Sequence, residues 1–268
     1  MRPRLLLTAL LLLTVSAGCG RTGGPAGWVR TDDGPGAAHG AGSGTPTPDN
    51  GPPHRRWGLP APLSAPPAGP ARPTSLPRVV DHIPTRDKVV FLTYDDGAER
   101  DPRFVDLVRE LRLPVSLFLT DSVAGPGYGH FARLRSVGAS IQNHTLDHAA
   151  LRGLPYAGQR AEICGQQNKL RSRFGIRPHL LRPPYGMYDD TTLRAAADCG
   201  TPTLTLWRAT ATDTDTHYTR PPHRLTPGDI ISVTPDETTG PTLVTRTTRL
   251  LREIQQAGLT VANLDDYL

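Results

Sequence analysis

Short apolar runs alternate with longer amphipathic stretches along the chain from Lys88 onwards. The first run, Val89 to Thr93, is apolar almost throughout, as expected of a parallel strand covered on both faces. Similar runs predict six further strands, at residues 115–119, 139–142, 180–182, 203–207, 229–233 and 259–262. Apolar residues at helical spacing predict helices at residues 102–111, 157–174, 189–199 and 241–257.

This alternation predicts an α/β fold, an incomplete (β/α) barrel of about seven parallel strands that occupies residues 79–268 and is preceded by a disordered tether. In barrels of this kind, the residues that carry the chemistry lie at the carboxyl ends of the strands. Candidate catalytic residues are therefore expected directly after the apolar runs.

The first 19 residues predict an export signal, because a basic start precedes an apolar run from Leu5 to Ala17. This run is too short to cross a hydrocarbon layer of about 30 Å. The small residues before Cys19 resemble the lipobox of bacterial lipoproteins, although Ser16 stands where Leu is usual. The sequence thus predicts a bacterial extracytoplasmic protein, anchored to the membrane by a lipid on Cys19. The alternative is an ordinary secretory signal and a secreted protein.

The next segment, residues 20–78, contains 12 Gly and 13 Pro and very few large aliphatic residues. Such a composition cannot form a core, so it predicts a flexible, disordered linker. Two aromatic residues within it, Trp28 and Trp57, are assigned no role.

Charge and cysteine content narrow the possible partners. The formal net charge is +5, but the arginines are scattered and no nucleic-acid-binding motif is present, which argues against nucleic acid as a partner. No protein partner is implied either. If Cys19 carries the lipid, Cys164 and Cys199 remain as a pair in an oxidising compartment, which predicts a disulfide. Two buried free thiols are the alternative.

Two adjacent carboxylates, Asp95 and Asp96, follow the first predicted strand within Thr-Tyr-Asp-Asp-Gly. Adjacent acids at a strand end repel each other unless a cation or an arginine neutralises them. The pair is a candidate functional site, with a helix-capping turn before Asp101-Pro102 as the alternative.

Two histidines spaced four residues apart, His144 and His148, follow another predicted strand. On a helical turn this spacing places both imidazoles on one face, close enough to bind one ion. Together with one carboxylate from a neighbouring strand end, they would form a metal site of two imidazoles and one carboxylate.

A third polar segment, Arg182-Pro-Pro-Tyr-Gly186, follows the strand predicted at residues 180–182. Arg182 would lie where it can pair with the carboxylate that does not bind the metal. A surface turn with a solvated arginine is the alternative.

These three motifs, in this order and at these separations, resemble the polysaccharide deacetylases of the NodB-homology type, carbohydrate esterase family 4. The resemblance covers about residues 86 to 268. It implies that Asp96, His144 and His148 bind a divalent metal, most often zinc, and that Asp95 is the catalytic base. It also implies that Arg182 orients that base and that the backbone amide of Tyr185 stabilises the oxyanion.

The sequence departs from the family pattern where a histidine usually protonates the leaving group. Thr234 occupies that position, and a threonine hydroxyl cannot act as a general acid near neutral pH. In the preceding motif, Asp213 matches the aspartate that supports this histidine, but Thr210 and Thr214 stand where Asp and Trp are usual. Trp207 is the candidate for the wall of the acetyl pocket, with an ordinary core residue at a strand end as the alternative.

The leading hypothesis is therefore a metal-dependent hydrolase that removes N- or O-linked acetyl groups from an extracellular or cell-wall polysaccharide. The main alternative is a catalytically impaired surface lipoprotein that binds glycan. His217 and His223, which precede the last motif, are alternative sources of the acid, although the sequence favours ordinary loop residues at these positions.

Overall fold

The computed structural model describes residues 51–64, 77–98, 100–234 and 242–268. The predicted signal peptide, Cys19, Trp28 and most of the predicted linker lie outside these residues. No helix in the described part of the chain is long and apolar enough to cross a membrane.

The described strands form one mostly parallel sheet with helices packed against it. The strands are β1 (Arg78–Val80), β2 (Val89–Asp96), β3 (Val115–Leu119), β4 (Ser140–Asn143), β5 (Leu180–Leu181), β6 (Thr203–Thr205), β7 (Ala209–Ala211), β8 (Thr216–Tyr218), β9 (Ile230–Val233) and β10 (Thr260–Val261). The helices are α1 (Pro53–Arg56), α2 (Pro102–Leu111), α3 (Asp121–Ala124), α4 (Tyr128–Ser136), α5 (Tyr156–Phe174), α6 (Asp190–Asp198) and α7 (Leu243–Gln256). Short 3₁₀ turns cover Gly125–Gly127, Pro184–Gly186 and Leu264–Tyr267.

The strand order is β1-β6-β5-β4-β3-β2-β9-β7-β8, and β10 pairs with the start of β2. Every pairing between these strands is parallel except β7 with β8. Within the described residues the edge strands β1 and β8 do not pair with each other, so the barrel is open. The predicted fold class, an incomplete (β/α) barrel, is confirmed.

All seven predicted strands and all four predicted helices are present, with small shifts at their ends. The structure adds β1, the β7–β8 hairpin and the helices α1, α3 and α4. Strand β2 lies at the centre of the sheet, and its residues Val89 to Leu92 are at most 1% exposed. The apolar pattern of β2 is continuous because its alternating side chains pack into core clusters on both faces of the sheet.

The N-terminal part of the described chain differs from the prediction. Residues 51–64, which fall in the predicted linker, pack against the helices α2 and α7. Leu59 is 2% exposed, and Trp57 donates a 2.6 Å hydrogen bond from Nε1 to Glu110 Oε2. We call residues 51–64 the N-terminal strap.

The predicted disulfide is also present, joining Cys164 of α5 to Cys199 at the end of α6. It lies beside a core cluster that includes Leu151, Ile163 and Leu204. The disulfide thus fastens two helices that cover the same face of the sheet.

Candidate active site

The three motifs meet at one edge of the sheet, because each follows the carboxyl end of a parallel strand. Asp95 and Asp96 end β2, His144 follows β4, and Arg182 follows β5. Strand β3 lies between β2 and β4 in the sheet. Distances between the side chains show that the motifs form one cluster.

The two aspartates of β2 have different surroundings. Successive residues of a strand point to opposite faces of the sheet, but Asp96 has a φ of 65°, in the left-handed region, which ends the strand and redirects its side chain. Gly97 follows with a φ of 87°, and a Cβ at this position would lie 2.9 Å from the Phe131 ring. A glycine is needed here both for the backbone conformation and for the close packing.

Asp96 lies between the two histidines. Its Oδ1 is 3.3 Å from His144 Nε2 and 3.1 Å from His148 Nε2. Burial raises the pKa of the Asp96 carboxyl, but the two facing imidazoles outweigh this and hold the pKa well below its usual range. The hydrogen-bonding contact with the Asp96 carboxylate in turn raises the pKa of His148. Asp96 is therefore ionised at neutral pH.

These three residues fit a divalent cation. Their ligand atoms all lie within 4.8 Å of one another. His144 Nδ1 is 2.7 Å from the carbonyl oxygen of Arg182, which can only accept, so Nδ1 carries the proton. When it is unprotonated, His144 Nε2 presents a lone pair to the buried Asp96 Oδ1, whereas a proton on Nε2 would turn the contact into a hydrogen bond. Two electron-rich atoms facing each other are stabilised by a shared cation.

The loop that carries the histidines is held by α5. Asn143 accepts a hydrogen bond from the Thr145 amide and donates one to the carbonyl of Ile163. The Glu162 side chain accepts a hydrogen bond from the Asp147 amide. These contacts stabilise a loop in which Thr145 and His148 have φ values of 71° and 59°, conformations that non-glycine residues rarely adopt.

Arg182 lies beneath the two aspartates and pairs with Asp95. Its Nη1 donates to Asp95 Oδ1 at 2.7 Å and to the hydroxyl of Thr93 at 2.8 Å. Burial lowers the pKa of the fully buried guanidinium, and the Asp95 carboxylate opposes this shift. The predicted pairing of Arg182 with the carboxylate outside the metal cluster is what the structure shows.

The remaining contacts of Arg182 fix its plane. Nε donates to the carbonyl of Thr205, and Nη2 donates to the carbonyl of Leu206. Its Cζ lies 4.2 Å from the centroid of the Phe118 ring. A buried guanidinium with its donors satisfied and an aromatic ring against its face is a rigid platform for Asp95.

Ser232 of β9 also contacts Asp95 and was not identified from the sequence. Its hydroxyl donates to Asp95 Oδ2 at 3.0 Å. The sequence contained one indication of this contact. Ser232 lies two residues before Thr234, so the two side chains are expected on the same face of β9. Only the strand pairing shows that this face meets Asp95.

The third motif places Tyr185 and Trp207 beside the cluster. Tyr185 has a φ of 59° and is 64% exposed, and its ring centroid is 4.8 Å from that of His148. Trp207 is half-buried and lies 5.3 Å from Arg182 Cζ, measured to its ring centroid. A Cβ on Gly186 would lie 3.4 Å from the Trp207 ring. Both aromatic residues therefore border the predicted site.

The positions at which the family pattern places the general acid and its supporting aspartate make other contacts in this structure. The Thr234 hydroxyl donates to the carbonyl of Ala211 at 3.3 Å. Asp213 pairs with Arg246 of α7, with 3.3 Å between Oδ1 and Nη1, and the Arg246 side chain is fully buried. The carboxylate that would support a histidine is thus neutralised by a guanidinium.

The two alternative histidines are exposed and lie elsewhere in the sheet. His217 is in β8, which is separated from β2 by β9 and β7, and His223 is in the loop after β8. Thr210 lies opposite His217 in the β7–β8 hairpin, and Thr214 lies in its turn. In the described ranges, the candidate metal cluster of Asp96, His144 and His148 includes no further imidazole.

Comparisons with known proteins agree with this geometry. A family model described as polysaccharide deacetylase matches residues 82–204, which include the three motifs. Over 194 residues the chain is 69% identical to an uncharacterized protein of Streptomyces coelicolor, and the match covers 72% of this chain and 78% of that protein. A peptidoglycan-N-acetylglucosamine deacetylase of Bacillus cereus is 28% identical over 111 residues. That match covers 41% of this chain and 40% of the relative, so this chain spans less than half of the relative's length.

Solved structures show the same fold. A family 4 carbohydrate esterase from Bacillus anthracis superimposes with a TM-score of 0.60 at 19% identity, covering 76% of this chain and 96% of that one. A family 4 pseudoenzyme from the same species gives a TM-score of 0.59 at 18% identity, covering 71% and 69%. The fold is thus that of the family 4 carbohydrate esterases. Residues 82–204, which carry the three motifs, belong to the polysaccharide deacetylase family.

Proposed function

We propose that this protein is a metal-dependent deacetylase that hydrolyses acetyl groups on a cell-wall or other extracellular polysaccharide. The observation that carries the proposal is Asp95, held by Arg182 directly beside the cluster of Asp96, His144 and His148. A base next to a cation site is the arrangement that hydrolysis of an acetyl group requires.

Each residue of the cluster has a chemical task in this proposal. A divalent cation, with zinc as the first expectation, would be held by Asp96, His144 and His148 and would supply Lewis-acid polarisation of the acetyl carbonyl and of the attacking water. Asp95 accepts the proton of that water. The Tyr185 amide donates to the oxygen on which negative charge develops.

Arg182 keeps the base in place. Its guanidinium donates to Asp95 and is held by three further acceptors, so it cannot move with the carboxylate. Trp207 would form the wall against which the acetyl methyl group packs.

The protein is proposed to act outside the cytoplasmic membrane, anchored by a lipid on Cys19 through residues 20–50, or to be secreted if Cys19 is not modified. The predicted export signal and lipobox-like segment support this location.

A second candidate function is glycan binding with little or no turnover. The observation that favours it is the pairing of Asp213 with Arg246 and the bond from Thr234 to a carbonyl, which leave the general-acid position without a titratable side chain. Loss of general-acid help typically costs a factor of about 10² to 10⁴ in rate. An O-acetyl ester needs less protonation of its leaving group than an N-acetyl amide, so the rate of ester hydrolysis would fall by a smaller factor.

The test is acetate release by the full chain from N-acetylated and O-acetylated glycans in the presence of zinc, with Asp95→Asn as the matched inactive control. We expect release that the variant lacks. No release from any substrate, with zinc and glycan still bound, would establish the glycan-binding function instead.

A further inference from the structure

We propose that Ser232 is a positioning residue for Asp95, so that the base is held by two strands and not by Arg182 alone. This inference rests on the proposed function of Asp95 as the base. It assigns to Ser232 a role that none of the three sequence motifs contains.

The first support is the complementary geometry of the two contacts. Arg182 donates to Oδ1 of Asp95 at 2.7 Å, and Ser232 donates to Oδ2 at 3.0 Å. One donor alone would leave the carboxylate free to rotate about its Cβ–Cγ bond, a torsion with a broad energy profile. Donors on both oxygens fix this rotation and therefore the direction of the remaining lone pairs.

The second support is the register of the sheet. Thr93 of β2 lies opposite Ser232 of β9 in a parallel pair. Because side chains alternate along a strand, Asp95 points to the same face as Thr93. Ser232 is thus placed by backbone pairing one step below Asp95 on the face where Arg182 lies.

The third support is that β9 contacts this network twice. The hydroxyl of Thr93, which accepts a hydrogen bond from Arg182, itself donates to the carbonyl of Ile231 at 2.8 Å. Adjacent residues of β9 therefore hold both groups that Arg182 Nη1 contacts. Ser232 is 5% exposed, so its hydroxyl is committed to this partner and not to bulk water.

The expected consequence concerns turnover more than binding. Ser232 touches the base and not the substrate, so its loss leaves KM nearly unchanged and lowers kcat. A misplacement of a catalytic group by about 1 Å can cost about 100-fold. We expect Ser232→Ala to lower kcat by about 10- to 100-fold, with KM within about threefold and zinc content unchanged.

Two comparisons separate positioning from a general effect on packing. Ser232→Thr retains the hydroxyl and should restore most of kcat. Ser116→Ala removes a buried hydroxyl from the neighbouring strand β3, where it does not contact Asp95, and should leave kcat unchanged. An equal loss in Ser116→Ala, or a kcat of Ser232→Ala within about threefold of wild type, would overturn the proposal.

Crystal structures of the wild type and Ser232→Ala decide the question even if neither releases acetate. Rotation of the Asp95 carboxylate in the variant, with Asp96, His144 and His148 unmoved, supports the positioning role. An unchanged Asp95 side chain contradicts it. The absence of turnover in the wild type would contradict the proposed function only, so the two failures are distinguishable.

Discussion

Replacing Leu59 in the N-terminal strap by alanine should destabilise the domain, although this residue lies in a Gly/Pro-rich segment. Leu59 is 2% exposed and belongs to the main core cluster. Truncating a buried leucine to alanine typically costs about 2–5 kcal/mol. Because the strap is peripheral, the loss cannot exceed the free energy of undocking it, so we expect the lower half of this range.

The strap is held by polar contacts as well, and these can be tested separately. Arg252 donates to the carbonyl of Gly58 at 3.0 Å, and Gln255 donates to that of Ala61 at 2.7 Å. Trp57 donates to a charged acceptor, Glu110, and such a bond contributes about 1.5–3 kcal/mol. Trp57→Phe and Glu110→Gln should therefore be non-additive in a double-mutant cycle.

The measurement is thermal unfolding of the full chain. For a domain of this size about 1 kcal/mol corresponds to about 2–4 °C, so Leu59→Ala should lower Tm by at least about 4 °C. Trypsin should cleave after Arg55 and Arg56 faster in the variant, since undocking lets the backbone of α1 unfold around these already exposed side chains. A Tm within about 1 °C of wild type, with unchanged cleavage, would refute the docking of the strap.

Three further predictions concern the site, the disulfide and the C-terminus. Asp96→Asn should lower zinc affinity at least about 10-fold, measured by competition with a chelator, and an unchanged affinity would contradict the cluster as a metal site. Cys164→Ser opens a disulfide between residues 35 positions apart and should cost about 2–4 kcal/mol in denaturant unfolding; addition of a reductant should destabilise the wild type alone. Burial raises the pKa of the Asp265 carboxyl, so the stability that this group contributes is present in acid and is lost as pH rises through its folded pKa. The unfolding free energy of Asp265→Asn relative to wild type should therefore rise as pH increases above the ordinary aspartate pKa of about 4, and a difference independent of pH would contradict the burial effect.

The elements that could be predicted from the sequence carry strong local patterns. The continuous apolar run of β2 and the amphipathic spacing of α2 each specify their element within the segment itself. Helix α4 was missed because it follows Gly125-Pro-Gly127 and starts with Tyr128-Gly129, which are typical of a loop. It is stabilised by packing of Phe131 and Leu134 in the core, which depends on the rest of the fold.

The same distinction applies to the strap and to Ser232. The strap has few apolar residues, and its partners Glu110, Arg252 and Gln255 are distant in the chain, so composition alone predicts a linker. Ser232 has no recognisable pattern of its own. Its contact with Asp95 depends on the register between β2 and β9, which no local signal specifies.

The candidate site contains well-positioned groups around Asp95, but lacks them around Asp213 and Thr234, where the general acid is expected. Burying a guanidinium such as that of Arg182 costs several kcal/mol unless its donors are satisfied, and here β2 and the end of β6 supply the acceptors that hold it against Asp95. On the opposite side, Asp213 is committed to Arg246 and Thr234 to a backbone carbonyl. Among the described residues, the groups proposed to activate water are thus in place, whereas a group that would protonate the leaving group is not. An amine must be protonated before it leaves, and a sugar alkoxide depends on this less strongly. If the protein is the proposed hydrolase, the ratio of ester to amide hydrolysis is therefore the quantity expected to reveal this difference most directly.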